Sequence, residues 1–155
     1  MLNIIEGDLT APSGKFALIA ARFNNLVVDQ LLAGAVEAFR RHGVPESHLD
    51  VVRVPGSYEI PLVAQKLGKS GKYAGIVCLG CVIRGDTDHY DYVAGAAANG
   101  IAQAGPATGV PVIFGVLTCE TLEQALHRVG GKAGNKGYEA ALAAIEMASL
   151  MQKLS

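Results

Sequence analysis

The residues best suited to chemistry lie between positions 84 and 89, where the chain reads Arg-Gly-Asp-Thr-Asp-His. Gly85 permits an open backbone turn, and Asp86 and Thr87 then fit the start of a helix. Free amides at such a start, together with the helix dipole, suit a phosphate. His89 follows in the first turn, where a histidine near an anion is well placed to transfer protons. The alternatives are that Asp86 and Thr87 only cap the helix, and that His89 is only an exposed residue at its start.

Two other segments carry aromatic or acidic residues directly after apolar runs. Phe23 could stack on a planar ligand, although a core phenylalanine at a strand–helix joint would give the same pattern. Glu59 could bind hydroxyl groups or could stabilise the positive end of a helix. Ser57 could contact a ligand or could act only as a helix N-cap. The residues by themselves leave these alternatives open.

A glycine-rich segment at 130–137 carries Lys132 and Lys136, and Arg128 comes shortly before it. Three cations among glycines suit an anion, but a solvated basic turn would have the same composition. A Walker-type phosphate loop is excluded, because no glycine-lysine-serine or glycine-lysine-threonine sequence follows at the required spacing.

The chain has three cysteines, Cys78, Cys81 and Cys119. Cys78 and Cys81 have the spacing of a redox or zinc pair, but they lie in an apolar run that is typical of a buried strand. Residues three apart on a strand point to opposite faces of the sheet. We therefore predict that these thiols pack in the core and bind no metal.

The elements that must position these residues alternate between strand-like and helix-like patterns. We predict strands over residues 16–21, 49–54, 75–83 and 110–117. We predict five helices: one from Asn24 or Asn25 to Gly43, three over about 57–67, 87–103 and 121–129, and one after the 130–137 loop. This alternation predicts an α/β fold, a flavodoxin-like three-layer α/β/α sandwich with a central parallel four-stranded sheet in the order 2-1-3-4. Residues 1–155 would form a single domain. In such sheets ligands bind beyond the carboxyl ends of the strands.

Residues 2–7 have the pattern of a lone additional strand that is followed by no helix. Such a strand could pair with an edge of its own sheet or be added to the sheet of a neighbouring subunit.

The composition narrows the class of protein further. Of 155 residues, 50% are hydrophobic and 17% are charged, which is typical of a packed globular chain. The formal net charge of −1 gives no electrostatic case for nucleic acid or an anionic membrane as partner. The sequence shows no signal peptide and no apolar run of the roughly 18 residues that a membrane helix needs, so we expect a cytoplasmic protein. The large hydrophobic share suits an oligomer.

Five motifs together resemble those of the lumazine synthases, and their order and spacing fit from about Asn3 to Met151. They are Arg22-Phe23-Asn24, Pro55-Gly56-Ser57-Tyr58-Glu59-Ile60-Pro61, Gly80–Tyr90, Gly115–Thr118 and Lys132–Gly137. The resemblance implies condensation of 5-amino-6-(D-ribitylamino)uracil with 3,4-dihydroxy-2-butanone 4-phosphate. The products would be 6,7-dimethyl-8-ribityllumazine, phosphate and water, in the penultimate step of riboflavin synthesis. The resemblance also implies that no metal or organic cofactor is needed.

The resemblance assigns a role to each residue of the site. His89 would transfer protons, and Phe23 would stack on the pyrimidine ring. The ribityl chain and the ring would contact Gly56, Ser57, Glu59, Cys81, Val82 and Ile83. The phosphate would be held by Gly85, Asp86 and Thr87. Phe114, Arg128 and Lys136 would come from the neighbouring subunit, with Arg128 on the phosphate.

The same resemblance implies a homopentamer. The short turn at 130–137 favours assembly of twelve pentamers into a 60-subunit icosahedral shell, which could enclose riboflavin synthase. The alternatives are a flavin-binding or flavin-storage protein on the same fold, and a shell-forming paralogue with weak or no synthase activity. Arg128 and Lys136 favour the enzyme, because a simple flavin binder would not require them.

Four residues depart from the pattern of the family, namely Cys81, Asp88, Tyr90 and Cys119. Asp88 matters most among them, because it adds negative charge near His89 and the expected phosphate. We therefore expect Asp88 to influence the affinity of the site for the phosphorylated substrate.

Overall fold

The central sheet of the computed structural model, which describes residues 1–10, 13–131 and 134–155, is parallel and has four strands. In chain order these are β1 (Lys15–Ala21), β2 (Leu49–Val54), β3 (Tyr73–Ile83) and β4 (Val112–Cys119). Their order across the sheet is β2-β1-β3-β4, and each neighbouring pair is parallel. The predicted α/β fold and the 2-1-3-4 order are confirmed.

Helices cover both faces of this sheet. Within the described residues they are α1 (Asn25–Arg41), α2 (Ile60–Lys69), α3 (His89–Thr108), α4 (Leu122–His127) and α5 (Lys136–Leu154). Alternate residues of β1 pack against the helices on opposite faces of the sheet, because successive side chains on a strand point to opposite faces. Phe16, Leu18 and Ala20 pack with α1 and α5, whereas the intervening residues of β1 pack with α2 and α3. Burial on both faces explains why the two interior strands, β1 and β3, read as continuous apolar runs.

The cysteines lie as the strand pattern predicts. Cys78 belongs to the core layer under α2 and α3, and Cys81 belongs to the layer under α1 and α5, so the two thiols point to opposite faces. Burial raises the pKa of both thiols to about 12. A thiol that stays protonated is a poor nucleophile and a poor metal ligand, which agrees with a packing role.

The glycine-rich segment near the C-terminus is not the open loop that its composition predicts. Its described part forms a short antiparallel hairpin of β5 (Val129–Gly131) and β6 (Gly134–Asn135), and α5 begins at Lys136. Lys132 and Ala133 of the predicted motif lie outside the described residues. Two glycines of the described strands, Gly130 and Gly134, adopt positive φ angles of 114° and 78°, which glycine tolerates because it has no Cβ.

The start of α5 is held against α1, and this contact places Lys136. The Asn135 side chain accepts a hydrogen bond from the Tyr138 amide at 3.0 Å and donates one to the Gln30 carbonyl at 3.1 Å. Gly137 lies so close to α1 that a Cβ there would meet the Leu31 backbone. The polar cap and the missing side chain together fix where the helix begins.

The N-terminal segment differs from one of its two predicted arrangements. Residues 2–7 join no strand of the sheet within the described chain, so pairing with an edge of their own sheet is wrong. The segment lies on α5 instead. The Asp8 amide donates to the Ser149 hydroxyl at 3.2 Å, and Lys153 Nζ donates to the Glu6 carbonyl at 2.8 Å. Addition of this strand to a neighbouring subunit stays a prediction.

Helix α3 is longer at its C-terminal end than its sequence predicts. It continues to Thr108 although Pro106 lies within it. Proline lacks the amide that an interior helical residue donates, so the helix continues past the predicted end near Gln103 with one main-chain donor fewer. Among the helices of the described ranges, none has both the length and the apolar character that a membrane crossing requires.

Candidate active site

A cleft of about 570 Å³ opens at the carboxyl ends of β1, β2 and β3. It brings together eight of the predicted site residues, namely Phe23, Gly56, Ser57, Glu59, Cys81, Val82, Ile83 and His89. Strands β1 and β3 are apolar and largely buried, β2 is only partly buried, and the polar groups of the cleft begin where the strands end. This position is the one that ligands occupy in parallel α/β sheets.

Phe23 stands at the mouth of this cleft with 70% of its surface exposed. The alternative of a core phenylalanine at the strand–helix joint is therefore wrong. Two main-chain hydrogen bonds hold the segment beside the loop after β2, from the Arg22 amide to the Val54 carbonyl and from the Phe23 amide to the Pro55 carbonyl, at 2.8 and 3.0 Å. An exposed ring on a fixed backbone is suited to stacking on a planar ligand.

Asn24 stabilises the wall of the cleft through a hydrogen bond that differs from the helix-capping bond expected of it. It precedes α1 with φ 62° and ψ 41°, and its side chain makes no capping hydrogen bond. Its Nδ2 atom instead donates to the Cys81 carbonyl of β3 at 2.7 Å. The left-handed backbone turns the chain from β1 into α1, and the amide ties this turn to the neighbouring strand.

Replacement of Asn24 separates these two contributions. Asn24→Ala removes the hydrogen bond and forces alanine into the left-handed region, and we expect the free energy of unfolding to fall by about 1–3 kcal/mol. Asn24→Gly also removes the hydrogen bond but tolerates the backbone, so its loss is expected to be smaller. Denaturant unfolding of both variants measures the difference. Equal losses would show that the left-handed backbone contributes nothing.

Ser57 and Glu59 belong to a single 3₁₀ turn, Ser57–Glu59, that precedes α2. The N-cap position of this turn is Gly56, so the expectation that Ser57 serves only as an N-cap is wrong. Ser57 is 5% exposed, and a Cβ at Gly80 would collide with its hydroxyl, so glycine in β3 makes room for it. Glu59 is exposed beside Gly56, and its carboxylate can accept hydrogen bonds at the mouth of the cleft.

The loop between β3 and α3 begins its helix later than the sequence predicts. Helix α3 starts at His89, with Asp88 in the N-cap position and no side-chain capping bond, so Asp86 and Thr87 do not start the helix. The Thr87 hydroxyl accepts a hydrogen bond from the His89 amide at 3.3 Å. In the described part of the chain, the amides of Gly85, Asp86 and Thr87 donate to no protein acceptor. They are free to bind an anion in front of a 20-residue helix.

His89 itself is exposed and lines the cleft from the first residue of α3. Tyr92 lies three residues further along the same helix and lines the cleft as well. Sequence reasoning did not select Tyr92, although the spacing of three residues from His89 on one helix face could have indicated it.

A second cleft of about 710 Å³ contains the remaining predicted cations, Arg128 and Lys136. A main-chain hydrogen bond from the Lys136 amide to the Arg128 carbonyl, at 2.7 Å, keeps them side by side. Gln124 and His127 also line this cleft and were not selected from the sequence. Phe114, 37% exposed on β4, lines neither cleft, and neither do the predicted phosphate-binding residues Gly85, Asp86 and Thr87. Within one chain the predicted site residues are therefore divided between two clefts and the surface outside them.

Helix α4 is followed directly by Arg128 and has Thr121 in its N-cap position. The Thr121 hydroxyl accepts from the Gln124 amide at 3.1 Å. The Gln124 side chain accepts from the Glu120 amide at 2.7 Å, one residue earlier than the reciprocal bond of a standard capping box. Among the described residues, no group of three or more His, Cys, Asp or Glu side chains could hold a metal ion.

Known proteins match nearly the whole length of the chain. A family model described as 6,7-dimethyl-8-ribityllumazine synthase matches residues 13–152. A curated 6,7-dimethyl-8-ribityllumazine synthase from Halorhodospira halophila (strain DSM 244 / SL1) is 54% identical over 154 residues, which are 99% of this chain and 99% of the relative. Both comparisons point to the synthase, and neither supports a flavin-storage or shell-only protein.

Proposed function

The chain belongs to the 6,7-dimethyl-8-ribityllumazine synthase family, and from this premise we propose which of its residues bind and convert the substrates. The protein is a transferase that condenses 5-amino-6-(D-ribitylamino)uracil with 3,4-dihydroxy-2-butanone 4-phosphate. The products are 6,7-dimethyl-8-ribityllumazine, phosphate and water, in the penultimate step of riboflavin synthesis. One observation carries the assignment of roles: the cleft beyond β1–β3 combines an exposed aromatic ring, a carboxylate and a histidine.

The chemistry requires proton transfer close to an anion. An amine of the pyrimidine attacks the ketone and water leaves to give an imine, phosphate is then eliminated, and the second amine closes the ring with loss of a further water. His89 next to the amides of Gly85–Thr87, from here on the phosphate loop, meets both needs. General acid–base help is typically worth about 10²–10⁴-fold, whereas positioning two substrates can contribute roughly 7–11 kcal/mol. We therefore propose an enzyme in which orientation contributes more than acid–base catalysis.

The pyrimidine substrate would occupy the apolar end of the cleft. Phe23 would stack on its ring, and the wall opposite would be formed by Cys81, Val82 and Ile83 at the end of β3. The ribityl chain would extend toward the 3₁₀ turn after β2. There, Glu59 and Ser57 would hydrogen-bond its hydroxyls, and Gly56 would let the chain approach the backbone.

The phosphorylated substrate would place its phosphate on the phosphate loop. Gly85, Asp86 and Thr87 would contribute mainly their amides. The Thr87 hydroxyl already accepts from the His89 amide, so its own proton can be donated to a phosphate oxygen. This arrangement keeps the leaving group within reach of His89. No metal or organic cofactor takes part in the proposed reaction.

We propose that a neighbouring subunit supplies the positive charge of the site. Neither the described residues that line the first cleft nor the three residues of the phosphate loop include a lysine or an arginine, yet a bound phosphate carries more than one negative charge. Arg128 and Lys136 lie in the second cleft, and Phe114 is exposed on the edge strand β4. A ring of five identical subunits would bring the second cleft of one subunit against the first cleft of the next.

The pentamers are proposed to assemble further, twelve together, into a 60-subunit shell that can enclose riboflavin synthase. The short hairpin of β5 and β6 supports this proposal, because it has little chain to obstruct contacts between pentamers. Sedimentation velocity at physiological pH and salt tests it directly. A stable pentamer as the largest species would refute the shell and leave the pentamer intact.

The reaction itself is tested with purified protein, both substrates and excess EDTA. We expect enzyme-dependent formation of lumazine, followed by its fluorescence, together with phosphate release. Equal rates with and without EDTA would support a mechanism without a metal. Product formation no faster than the spontaneous condensation, from folded protein, would contradict the proposed roles of the cleft residues.

Thr87→Ala tests the phosphate loop. Loss of one hydrogen bond to a charged group, about 1.5–3 kcal/mol, is expected to raise the KM for the butanone phosphate and the Ki of inorganic phosphate by about tenfold or more. Thr87→Ser keeps the hydroxyl and is expected to retain values close to those of the unchanged protein. Steady-state kinetics with phosphate as competitor measures both constants. A rise in the KM for the pyrimidine alone would place Thr87 at the other substrate.

A cytoplasmic location is part of the proposal as well. A phosphorylated ketone carries charge and crosses an apolar bilayer poorly, so an enzyme that consumes it needs access to the compartment where it is made. Cell fractionation with the fluorescence assay would test this location, and activity confined to an extracytoplasmic fraction would contradict it.

A further inference from the structure

Arg84, the residue immediately before the phosphate loop, has a guanidinium group that joins three elements. Its Nε atom lies 3.0 Å from Glu120 Oε2 in the segment after β4, and its Nη2 atom lies 3.4 Å from Asp91 Oδ1 in the first turn of α3. The guanidinium carbon also lies 4.4 Å from the centre of the Tyr90 ring. Its backbone amide donates to the Cys119 carbonyl at 2.9 Å. Arg84 is therefore held by both its main chain and its side chain.

The charges around Arg84 argue against direct contact with phosphate. Two carboxylates, those of Asp91 and Glu120, face a single guanidinium, so the cluster has no surplus positive charge to offer an anion. The side chain is also committed to the face of Tyr90. A residue other than Arg84 must therefore supply the positive charge that binds phosphate. Arg84 must have a different role.

The elements that Arg84 connects are those that carry the phosphate loop and His89. Tyr90 follows His89 directly, is half-buried and lines the first cleft. Asp91 is the next residue of the same helical turn. Arg84 immediately precedes the phosphate loop, and its side chain contacts Tyr90 and Asp91 in the helix that follows the loop, so its guanidinium links the two sides of the loop.

We infer that Arg84 is a positioning residue of the synthase reaction: its guanidinium holds the phosphate loop and the first turn of α3 in the arrangement that binds phosphate, without touching substrate. The inference rests on the proposed roles of the phosphate loop and His89. It identifies Glu120 and Asp91 as the carboxylates through which Arg84 acts.

The shape of arginine matters for this role. A planar fork can pair with two carboxylates and stack on an aromatic ring at the same time, whereas the ammonium group of lysine is a point charge that cannot do all three. A positioning role therefore predicts that Arg84→Lys fails nearly as badly as Arg84→Ala. Direct binding of phosphate by charge predicts the opposite, because lysine would keep the charge.

The test uses the assembled enzyme with Arg84→Ala, Arg84→Lys and the control Arg53→Lys. Arg53 is as exposed as Arg84, at 39% against 40% of the side chain, pairs with Asp29 at 2.9 Å and lines neither cleft. The measurements are kcat, the KM for each substrate, the Ki of inorganic phosphate and the midpoint of thermal unfolding.

Both Arg84 variants are expected to raise the KM for the butanone phosphate and the Ki of phosphate by about tenfold, since small displacements of binding groups have effects of this order or larger. The KM for the pyrimidine is expected to change by less than about twofold, because that substrate does not use the phosphate loop. Arg53→Lys is expected to change none of these constants.

Glu120→Gln provides a second variant that leaves Arg84 in place. A positioning role predicts that the Ki of phosphate rises, because the guanidinium loses a charged partner and the loop loosens. A direct role predicts that the Ki falls, because Arg84 is released toward the phosphate. This comparison holds even where Arg84→Ala does not assemble.

Three results would overturn the inference. The first is that Arg84→Lys leaves the kinetic constants unchanged, and the second is that Glu120→Gln lowers the Ki of phosphate. The third is that the Arg84 variants unfold at so low a temperature that loss of folded enzyme explains every kinetic change. Failure of the phosphate loop itself is distinguishable. If Thr87→Ala raises the Ki of phosphate but the Arg84 variants do not, only the inference about Arg84 is wrong. If none of these variants changes the Ki, the assignment of the phosphate loop is wrong as well.

Discussion

Arg128→Ala is expected to lower kcat/KM for the butanone phosphate by about 10²–10³-fold, an effect of the size seen when one preorganised donor to a developing anion is removed. The reason is the distribution of charge. The first cleft has no lysine or arginine among its described lining residues, so the proposed cation on the phosphate is Arg128 of a neighbouring subunit. The KM for the pyrimidine is expected to change little. Steady-state kinetics with each substrate varied in turn separates the two effects.

The control for this variant is Lys69→Ala. Lys69 is an exposed cation in the last turn of α2 and lines neither cleft, so its removal changes the net charge equally without touching the site. Equal losses in the two variants would mean that general electrostatic attraction of the substrate, and not a specific contact, explains the effect of Arg128.

Mixed assemblies of Phe23→Ala and Arg128→Ala test whether the site is shared. Each variant damages a different cleft, so a site that joins two subunits is intact wherever an undamaged first cleft meets an undamaged second cleft. Random assembly in equal amounts would produce such sites at about a quarter of the interfaces of a cyclic ring. Recovery of activity on mixing, to about this fraction, is the expected result. Activity no higher than the sum of the separate variants would contradict sharing.

His89→Ala is expected to lower kcat by about 10²-fold, at the lower end of the range for general acid–base catalysis. The KM for both substrates should change by less than about threefold, because the stacking ring and the phosphate loop are untouched. The physical reason is that substrate orientation, which this variant preserves, contributes most of the rate enhancement in the proposed mechanism. Single-turnover kinetics at saturating concentrations measures the chemical step directly.

His48→Ala serves as the matched control, because His48 is an exposed histidine in the 3₁₀ turn Glu46–His48 and lines neither cleft. Complete loss of activity in His89→Ala, with both substrates still bound, would contradict a mechanism dominated by orientation. An unchanged kcat would contradict the acid–base role of His89.

Local patterns in the sequence were sufficient for the sheet and for one cleft. The segment 49–54 is predicted with the bounds that the structure gives to β2, and the apolar run before Arg84 is the central strand β3. Because the strands are parallel, their carboxyl ends meet at one edge, and the residues after all four strands were expected there together. Those after β1, β2 and β3 line the first cleft, whereas Thr118 and Cys119 of β4 line the second. The opposite faces of Cys78 and Cys81 follow from the same periodicity.

Several side-chain partners and one loop were not predicted, because they depend on contacts between distant parts of the chain. Asn24 or Asn25 was expected to cap α1, and Asn24 does occupy the N-cap position, but its side chain donates to the Cys81 carbonyl, 57 positions later, and not to the helix. The 130–137 segment was expected to be an open loop, but its end is fixed by Asn135 against Gln30 of α1. Composition records which residues are polar and flexible. It does not record which partner they meet.

The sequence by itself determined the fold class, the strand order, the resemblance to one enzyme family and eight of the residues that line the first cleft. These follow from periodicity, from the geometry of parallel sheets and from motifs that are local in the chain. Only the tertiary structure decided that Phe23 is exposed, that Arg128 and Lys136 lie in a separate cleft, and that Arg84 is paired with Glu120. Each of these depends on distances between side chains that are far apart in sequence, and such distances are fixed only when the layers pack.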